Sequence, residues 1–493
     1  MAASPVPDRI LQRTVRGAGW VMAWRFGMRG LGLISTLILV RLIAPADFGI
    51  IALATGFTQT IDGMLSLGTE EAVIREASPG RGFYDTAFSL NLLRGGFVTL
   101  LVAALAFPSA TFFNDPRLGP VLLFVACLPV LDGCTNIGAV DFRRDFAFDR
   151  EFALMVLPKA CGIVAAIGTA FWLRSYIAML CGMGVNRSMR VVMSYVMHPY
   201  RPRLTLRDWR GLAGYSVWTW LLSLAVLVRD RCDSLLIGRM MQSSAVGFYS
   251  VGAEIAALPM TELIEPLGRA AFSGFAAGRR EQAGLGSTYL RLIGFTALLV
   301  MPAGVGLSLV AQPLVALAFG SGWDQAIPVL RILAIASSLL VLGHLSQHLL
   351  SVYALLGRLT GITLFAAGLR IALLAALIPP WGLTGAAYAA GISIVVEQAA
   401  IIAVAMQRLR IDAQRLAAQV WRPLFATVVM TMALRATGLG WSSTHLVATA
   451  GFGAFLYGAG VGAAWIACGR PEGAEADVVA TVRGLLRRRW RPR

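Results

Sequence analysis

The sequence is poor in charge, in lysine and in cysteine, and each shortage excludes a class of protein. Only 14% of its 493 residues are Asp, Glu, Lys or Arg, whereas soluble proteins carry about a quarter, so a soluble globular fold is excluded. Lys159 is the only lysine, and arginine carries the formal net charge of +17. The six cysteines lie in or beside apolar segments without the spacing of metal ligands or of a disulfide framework, so we interpret them as core residues.

Apolar stretches of about twenty residues recur along the whole chain, and 57% of the residues are hydrophobic. Each stretch is long enough to cross a hydrocarbon core of ~30 Å, and none alternates as barrel strands do. The pattern predicts an all-α integral membrane protein with about fourteen transmembrane helices. The predicted spans are 17–41, 46–69, 86–108, 118–140, 152–172, 175–197, 213–238, 245–267, 288–310, 326–354, 359–379, 383–406, 420–437 and 445–468.

Arginines gather before the first span and after spans two, four, six, eight and twelve, while the opposite loops carry one arginine or none. Positively charged loops remain in the cytoplasm, so both termini are predicted to be cytoplasmic, and the even number of spans agrees. The loop arginines account for the net charge, and no nucleic acid partner is predicted. The basic tail "VVATVRGLLRRRW" is interpreted as an amphipathic helix on anionic membrane lipids.

Two parts of the chain resemble each other weakly. The residues that recur at a single offset are Trp20 and Trp218, Arg41 and Arg239, and Gly49 and Gly247. The offset covers six spans, an even number, so the copies would share one orientation, as in a parallel repeat. Two six-helix lobes in pseudo-twofold arrangement around a central cavity are therefore predicted. The predicted domains are 1–205 (spans 1–6), 206–411 (spans 7–12) and 412–493 (spans 13–14 with a basic cytoplasmic tail).

Several stretches, in their order and spacing, point to a family. They include "STLILVRLIAPADFGIIALA", "FFNDPRLGPVL", "DSLLIGRMMQSSAVGFYSVGAEIAALP" and "FGSGWDQAIPVLRILAIA". From about Trp20 to Gln407, the chain resembles bacterial oligosaccharide and polysaccharide flippases (Wzx-type, polysaccharide transporter family) of the multidrug/oligosaccharidyl-lipid/polysaccharide (MOP) exporter superfamily.

The resemblance implies a two-lobed bundle in the bacterial inner membrane that opens alternately to either side without ATP. It implies a flippase that moves polyprenyl-pyrophosphate-linked oligosaccharide from the cytoplasmic to the outer leaflet. The product would serve surface polysaccharide synthesis, namely exopolysaccharide, capsule or lipopolysaccharide O-antigen, alongside polymerase or assembly proteins.

Arg25 and Arg29 lie in the first span, one helical turn apart on one face. They lie ~12 and ~18 Å into the membrane at ~1.5 Å per residue. An arginine that faced lipid there would cost about 3 kcal/mol or more, so it normally faces protein or a watery cavity. Guanidiniums bind phosphate through two hydrogen bonds and stay charged, so a pyrophosphate site is predicted. The alternative is that Arg25 snorkels to the cytoplasmic interface.

Arg187 and Arg190, near the middle of span six, are a second candidate cationic cluster for the same substrate. In span seven, Arg229 and Asp233 are four residues apart and can pair. Two interpretations stay open for them: an internally neutralised structural cluster, or a gate between the lobes.

Carboxylates within the spans are candidates for ion coupling, because a buried carboxylate can carry a proton or hold a cation. Asp62 and Glu254 are preferred, since the resemblance implies that spans two and eight line the cavity. The remaining candidates are Asp132, Glu262 and Glu397. Each carboxylate could equally be the counter-charge of a neighbouring arginine.

No cofactor and no metal are predicted, apart from a coupling ion, H⁺ or Na⁺. His344 and His348 are one turn apart, but two ligands alone do not make a metal site. A secondary transporter is favoured over an enzyme because the outward loops are short and poor in carboxylates and histidine. The alternatives are a small-molecule exporter of the same superfamily, a membrane glycosyltransferase or polymerase of the same pathway, and a scaffold for the assembly complex.

Overall fold

The structure is a computed structural model, and helices are its only regular secondary structure within the residues that it describes. Those residues are 27, 30–32, 34–65, 68–76, 80–145, 147–209, 217–261, 275, 285–320, 322–353, 355–436, 446–471 and 473–476. The first helices are α1 (Gly30–Leu42), α2 (Pro45–Met64), α3 (Thr69–Arg75), α4 (Arg81–Phe112), α5 (Leu118–Gly133), α6 (Asp141–Arg144), α7 (Phe148–Leu173) and α8 (Tyr176–Met197). The later helices are α9 (Val217–Met240), α10 (Ser243–Ala256), α11 (Leu285–Leu309), α12 (Ala311–Phe319), α13 (Ala326–Val352), α14 (Leu356–Leu409), α15 (Ala413–Ala436) and α16 (Leu446–Ala467).

Many of these helices have the length and composition of membrane spans. Within the described ranges, seven are long and apolar enough to cross a membrane, namely α4, α7, α11, α13, α14, α15 and α16. Two shorter apolar helices, α1 and α5, accompany them. The predicted all-α membrane class is therefore confirmed, and the count of fourteen spans stays a prediction.

Helix α14 contains two of the predicted spans. It is 54 residues long, more than twice the ~20 residues that one span needs. It breaks at Gly382, whose φ of 56° and ψ of −133° suit a residue without a Cβ. Pro379 and Pro380 lack the N–H that would continue the helical hydrogen bonds just before the break. The break lies between predicted spans 359–379 and 383–406.

The chain divides into two compact units. Unit 1 comprises residues 1–227 and 237–247, and unit 2 comprises residues 228–236 and 248–493. The lobe and tail boundaries predicted from the sequence, 1–205, 206–411 and 412–493, stay predictions.

In unit 1 the helices pack in close pairs, α4 against α5 and α7 against α8, with α2 against α5. Small residues permit this approach, as in other membrane helix pairs. A Cβ built on Gly162 of α7 would lie 2.6 Å from the carbonyl oxygen of Gly182 on α8. No ordinary side chain could replace either glycine without a shift of the two helices.

In unit 2, α13 packs against α14 and α11, and the last two helices, α15 and α16, pack against each other and on α11. Tyr457 of α16 donates a hydrogen bond of 2.8 Å to the carbonyl of Leu298 in α11. Ala426, Met430 and Leu434 of α15 complete the apolar cluster around Tyr457. The last two helices thus belong to the packed body of unit 2.

Large apolar side chains are exposed on many helices, which a soluble protein would avoid. Trp172 on α7 is 91% exposed and Val447 on α16 is 85% exposed. In a hydrocarbon environment such side chains are favourable, and helices satisfy their own backbone groups. The outer surface therefore agrees with a multi-pass membrane protein.

Within unit 1, the two segments that resemble each other in sequence cross at equivalent positions. Pro45 and Gly49 at the start of α2 occupy the places that Ser243 and Gly247 occupy in α10. A Cβ on Gly49 would lie 1.6 Å from the Ser243 carbonyl oxygen, and a Cβ on Gly247 would lie 2.2 Å from the Pro45 carbonyl oxygen. This reciprocal contact is what a twofold relation between the segments would produce, and it supports the repeat.

Candidate functional site

Arg25 and Arg29, the first residues predicted to bind pyrophosphate, lie outside the described residues, as does Glu262. Their roles stay predictions. The remaining predicted site residues are distributed over both units, and most of them take part in ion pairs.

Two ion pairs join predicted spans in unit 1. Arg94 of α4 lies 2.8 Å from the carboxylate of Asp62 on α2. Arg187 of α8 lies 2.7 Å from the carboxylate of Asp132 on α5. All four side chains are half-buried. Each pair combines charged hydrogen bonding with neutralisation, which lowers the cost of keeping charge at membrane depth.

Arg190, one turn from Arg187 on α8, lines a cavity of about 50 Å³. Asp132 of α5 and Asn91 of α4 are among the other lining residues, together with Glu70 and Glu151. The Nε of Arg190 is buried and has no hydrogen-bond acceptor. A buried charged donor without an acceptor is unfavourable, so this nitrogen is available to an anionic or polar ligand.

A second cavity in unit 1, of about 180 Å³, lies between α1, α7 and α8 and is open to its surroundings. Lys159 of α7 lies on its wall with apolar and small residues. The sequence interpretation did not include Lys159 among the binding residues. The signal that could have found it is a single ammonium in the middle of the apolar stretch 152–172.

In unit 2, Asp233 of α9 lies in a fully hydrogen-bonded buried cluster. Arg370 of α14 donates from Nε to one carboxylate oxygen at 2.7 Å and from Nη2 to the other oxygen. The hydroxyl of Tyr249 on α10 donates to the same carboxylate at 2.5 Å. Asp233 and Tyr249 are 4% exposed and Arg370 is 8% exposed, so the charge pair is withdrawn from solvent.

Arg229, one turn before Asp233, pairs with Glu397 of α14. Its Nη1 lies 2.7 Å and 2.9 Å from the two carboxylate oxygens, and its Nε donates to Asp230 at 2.9 Å. The side chain of Glu397 is 1% exposed. The pairing of Arg229 with Asp233 suggested by their spacing is therefore replaced by two bridges from α9 to α14.

Other predicted residues have simpler surroundings. Glu254 on α10 has an exposed side chain. The rings of His344 and His348 on α13 meet edge to face with centroids 4.8 Å apart. Among the described residues, no three His, Cys, Asp or Glu side chains form a group that could hold a metal ion.

Outside the predicted membrane spans, clusters of polar side chains connect the helices of unit 1 near their ends. Between α4 and α5, burial alone would raise the pKa of Asp115, but hydrogen bonds from Arg117 outweigh it and lower that pKa. Arg117 also lies 3.3 Å from the carboxylate of Asp47 on α2. After α8, burial lowers the pKa of His198, although Asp141 lies 3.5 Å from its Nε2.

Comparison with known proteins identifies the family. A family model described as "Polysaccharide biosynthesis protein" matches residues 38–328, more than half of the chain. The chain belongs to this polysaccharide biosynthesis protein family. The membership predicted from the sequence motifs is thereby confirmed.

Relatives in the family are distant but extensive. The chain is 23% identical over 341 residues to lipopolysaccharide biosynthesis protein WzxC of Escherichia coli (strain K12), with 68% of each chain covered. It is 24% identical over 332 residues to succinoglycan biosynthesis transport protein ExoT of Rhizobium meliloti (strain 1021), with 66% of each chain covered. The match thus spans about two thirds of these relatives' length.

Solved structures show the fold. The structure titled "Lipid II flippase MurJ, inward closed conformation" has a TM-score of 0.74 and covers 91% of this chain and 99% of its own, at 12% identity. An inward-facing multidrug resistance MATE family transporter of the MOP superfamily has a TM-score of 0.59, with 77% and 94% covered at 17% identity. The polysaccharide biosynthesis family member therefore has a MOP superfamily transporter fold.

Proposed function

We propose that this protein is a flippase that carries polyprenyl-pyrophosphate-linked oligosaccharide repeat units from the cytoplasmic to the outer leaflet of the bacterial inner membrane. The transported units would supply surface polysaccharide synthesis. Family membership, the named role of WzxC and ExoT in polysaccharide synthesis and the fold shared with MurJ support this proposal. In it the protein acts as a secondary transporter and not as an enzyme.

The observation that carries the proposal is the buried Nε of Arg190, which has no acceptor. Arg190 lies on a predicted membrane span, where an unpaired guanidinium nitrogen is costly unless a ligand pairs with it. A pyrophosphate offers several charged acceptors, and guanidinium geometry suits phosphate. Arg25 and Arg29 are proposed to complete the cationic site with Arg187.

The carboxylates of unit 1 suit a coupling role in the same proposal. Asp62 and Asp132 face arginines 2.7–2.8 Å away, so protonation or Na⁺ binding would release Arg94 or Arg187 for the substrate. The coupling ion, H⁺ or Na⁺, is thereby proposed to exchange with the anionic ligand. Both termini are proposed to be cytoplasmic, as the arginine distribution predicts.

The test is lipid flipping in proteoliposomes. A fluorescent polyprenyl-pyrophosphate oligosaccharide is followed with a membrane-impermeant quencher, for wild type, Arg190→Gln and Arg25→Ala plus Arg29→Ala. We expect both variants to fold and to lose most of the flipping rate. Arg415→Met removes one unit of charge, as Arg190→Gln does, from a side chain that is 71% exposed at the start of α15, and it should flip like wild type.

Two outcomes contradict the proposal. Absence of flipping by folded wild type under imposed proton, sodium and potential gradients would favour the enzyme or scaffold alternatives. Transport of small cationic drugs without flipping would favour the exporter alternative.

A further inference from the structure

The chain that leaves α8 folds back along the first turns of α4. Residues 198–206 have no regular secondary structure, yet their polar groups are bonded to α4. The hydroxyl of Tyr200 donates to the carboxylate of Asp85 at 2.6 Å, and the backbone N–H of Arg203 donates to the same oxygen at 2.7 Å. The backbone N–H of Thr205 donates to the hydroxyl of Ser89 at 2.9 Å. The segment is therefore held against α4 and follows its surface.

The bonds to α4 show that the segment enters and then leaves the predicted membrane region. After Thr205 has reached Ser89, the backbone N–H of Asp208 returns to the hydroxyl of Thr86 at 3.2 Å. Ser89 follows the first residue of α4 by eight positions, which is about 12 Å along the helix. It also lies inside the predicted span 86–108. Residues 201–208 thus form a re-entrant loop, and Thr205 is its deepest bonded residue.

The side chains of α4 that hold the re-entrant loop are buried. Asp85 is 5% exposed, Thr86 is 0% exposed and Ser89 is 3% exposed. Buried polar groups are costly unless they are hydrogen-bonded, and here the loop backbone supplies the donors. Gly82 leaves room for the returning chain, because a Cβ built on it would lie 2.6 Å from a carboxylate oxygen of Asp208. The path of the loop is therefore fixed by the fold of unit 1.

Two leucines flank the deepest point of the re-entrant loop and face outward. Leu204 is 73% exposed and Leu206 is 47% exposed, which is unfavourable in water and favourable against acyl chains. The apolar outer surface of α8 reaches its last turn, where Val196 is 79% exposed. The hydrocarbon region thus extends to the place where the loop begins, and the two leucines lie at the depth of the boundary between headgroups and acyl chains.

The rest of the re-entrant loop is basic. Arg201, Arg203 and Arg207 are exposed, and the loop contains one acid, Asp208, so its formal charge is +2. Arg81 at the start of α4 adds a fourth guanidinium, with a side chain that is 60% exposed. Arginine side chains lie along apolar surface and keep their charge at the headgroup level. Leucines beside several arginines are the composition that binds an anionic leaflet.

We propose that the re-entrant loop is a docking site for anionic phospholipid. Leu204 and Leu206 insert among the acyl chains, while Arg203 and Arg207 bind the phosphates of lipid headgroups. The leaflet is the cytoplasmic one, the side on which the arginine distribution places the end of span six. This inference goes beyond the proposed function and does not rest on it, because the lipid bound here belongs to the bilayer and is not transported.

Photocrosslinking in nanodiscs tests the insertion. The photoreactive residue p-benzoylphenylalanine replaces Leu204, in bilayers of equal parts phosphatidylcholine and phosphatidylglycerol, and crosslinked lipids are identified by mass. The comparison positions are Val164 on α7, which is 71% exposed in a predicted span, and Asp412 before α15, whose side chain is 79% exposed. We expect the lipid yield at Leu204 to approach that at Val164. A yield no greater than at Asp412 would overturn the proposal, and the same probe at Leu206 repeats the measurement independently.

The identity of the crosslinked lipid tests the arginines. We expect phosphatidylglycerol to exceed phosphatidylcholine at Leu204 by about fivefold or more, the preference that one arginine gives beside an anionic surface. About 1 M salt should reduce this preference, because it screens exposed charges. Equal yields of the two lipids in the wild-type loop would overturn the assignment of an anionic headgroup.

A matched pair of variants assigns the preference to the loop. Arg203→Gln combined with Arg207→Gln should keep the lipid crosslinks at Leu204 and bring the two lipids close to equal yield. Arg358→Gln combined with Arg415→Gln removes two charges from exposed side chains of unit 2 and should leave the preference as in wild type. An unchanged preference in the loop variant, or an equal loss in both variants, would contradict a site at the re-entrant loop. The flipping assay is a separate readout, so the proposed function stands or falls independently of these results.

Discussion

Asp233 is a carboxylate withdrawn from solvent and held by Arg370 and Tyr249. Arg370→Met would leave this carboxylate buried and without its cation. Breaking a buried pair from one side costs about 3–5 kcal/mol, so we expect a large fall in the apparent melting temperature in detergent. The measurement is a thermal unfolding curve of purified wild type and variant.

The matched control for this pair removes both charges at once. Asp233→Leu combined with Arg370→Met replaces the pair by apolar side chains, which is often neutral in a buried setting. We therefore expect the double variant to melt above the single variant Arg370→Met. A double variant that is less stable than Arg370→Met would mean that the charges act separately.

The sequence predicted which residues of span seven matter but not how they are paired. Arg229 and Asp233 stand four apart, and that spacing alone suggested that they neutralise each other. In the structure their partners are Glu397 and Arg370, at far positions of α14. Partner choice depends on how α9 packs against α14, which local spacing does not encode.

Lys159 is the opposite case. The sequence itself marks this residue as unusual, but the spacing of residues along the helix did not identify it as a site residue. A single lysine within an apolar span is unusual by composition. Its surroundings on α1 and α8 come from segments far apart in the chain, so the cavity itself could not be predicted.

The start of α2 and the start of α10 lie so close together that Gly49 of α2 is indispensable. In Gly49→Ala, the new Cβ would lie 1.6 Å from the Ser243 carbonyl oxygen, which forces α2 and α10 apart. Overpacking of this kind costs about 1–3 kcal/mol. We expect a lower apparent melting temperature and slower flipping in the proteoliposome assay.

The control lies in the same helix. A Cβ added to Gly56 of α2 would have nothing within 4 Å, and alanine favours a helix by up to about 1 kcal/mol over glycine. Gly56→Ala should therefore melt at or above the wild-type temperature. A similar loss in Gly56→Ala and Gly49→Ala would place the effect in α2 itself and not in the crossing.

The segment that follows α8 should respond to pH through His198. The backbone N–H of Tyr200 donates to Nδ1 of His198 at 3.2 Å, which requires an unprotonated Nδ1. Asp141, Asp145, Arg150 and Arg201 are the charged groups that act on the ring, and burial keeps its pKa low.

Because the folded pKa of His198 is lowered, its stabilising contribution is fully present above the unfolded pKa of about 6.5. It is lost as the pH falls through the lowered folded pKa, where protonation breaks the bond from Tyr200. We expect the apparent melting temperature of wild type to fall over that window more than that of His198→Gln. Parallel pH profiles for the two proteins would contradict this assignment.

The helices themselves were largely predictable, because long apolar runs have few alternatives in a membrane. The break between predicted spans 359–379 and 383–406 is confirmed at Gly382, where two prolines and a glycine punctuate the chain. The crossing of Gly49 with Gly247 was not predicted as a contact, although the sequence repeat identified both residues. A repeat shows which positions are equivalent, whereas the contact depends on the packing of α2 and α10.

At the scale of the whole molecule, arginine and carboxylate are distributed differently in the two units. In unit 2, Glu397 and Asp233 are almost fully buried and are paired with Arg229 and Arg370. Unit 1 holds half-buried pairs and two cavities, one beside Arg190 and one beside Lys159. In the proposed function, the cavity beside Arg190 is where the anionic headgroup binds.

The charge of that headgroup makes a prediction about transport as a whole. The cations assigned to the site stay with the protein, so the anionic pyrophosphate would cross with its charge uncompensated. A potential that is negative inside favours outward movement of each such charge by about 2.3 kcal/mol per 100 mV, about a fifty-fold change in the leaflet ratio.

We expect the leaflet distribution in proteoliposomes to follow a potential set by a potassium gradient and valinomycin. A distribution that ignores the potential would contradict this expectation. Because exchange with a coupling ion at Asp62 or Asp132 is proposed, an imposed pH or sodium gradient should also shift the distribution, and Asp62→Asn or Asp132→Asn should remove that gradient dependence.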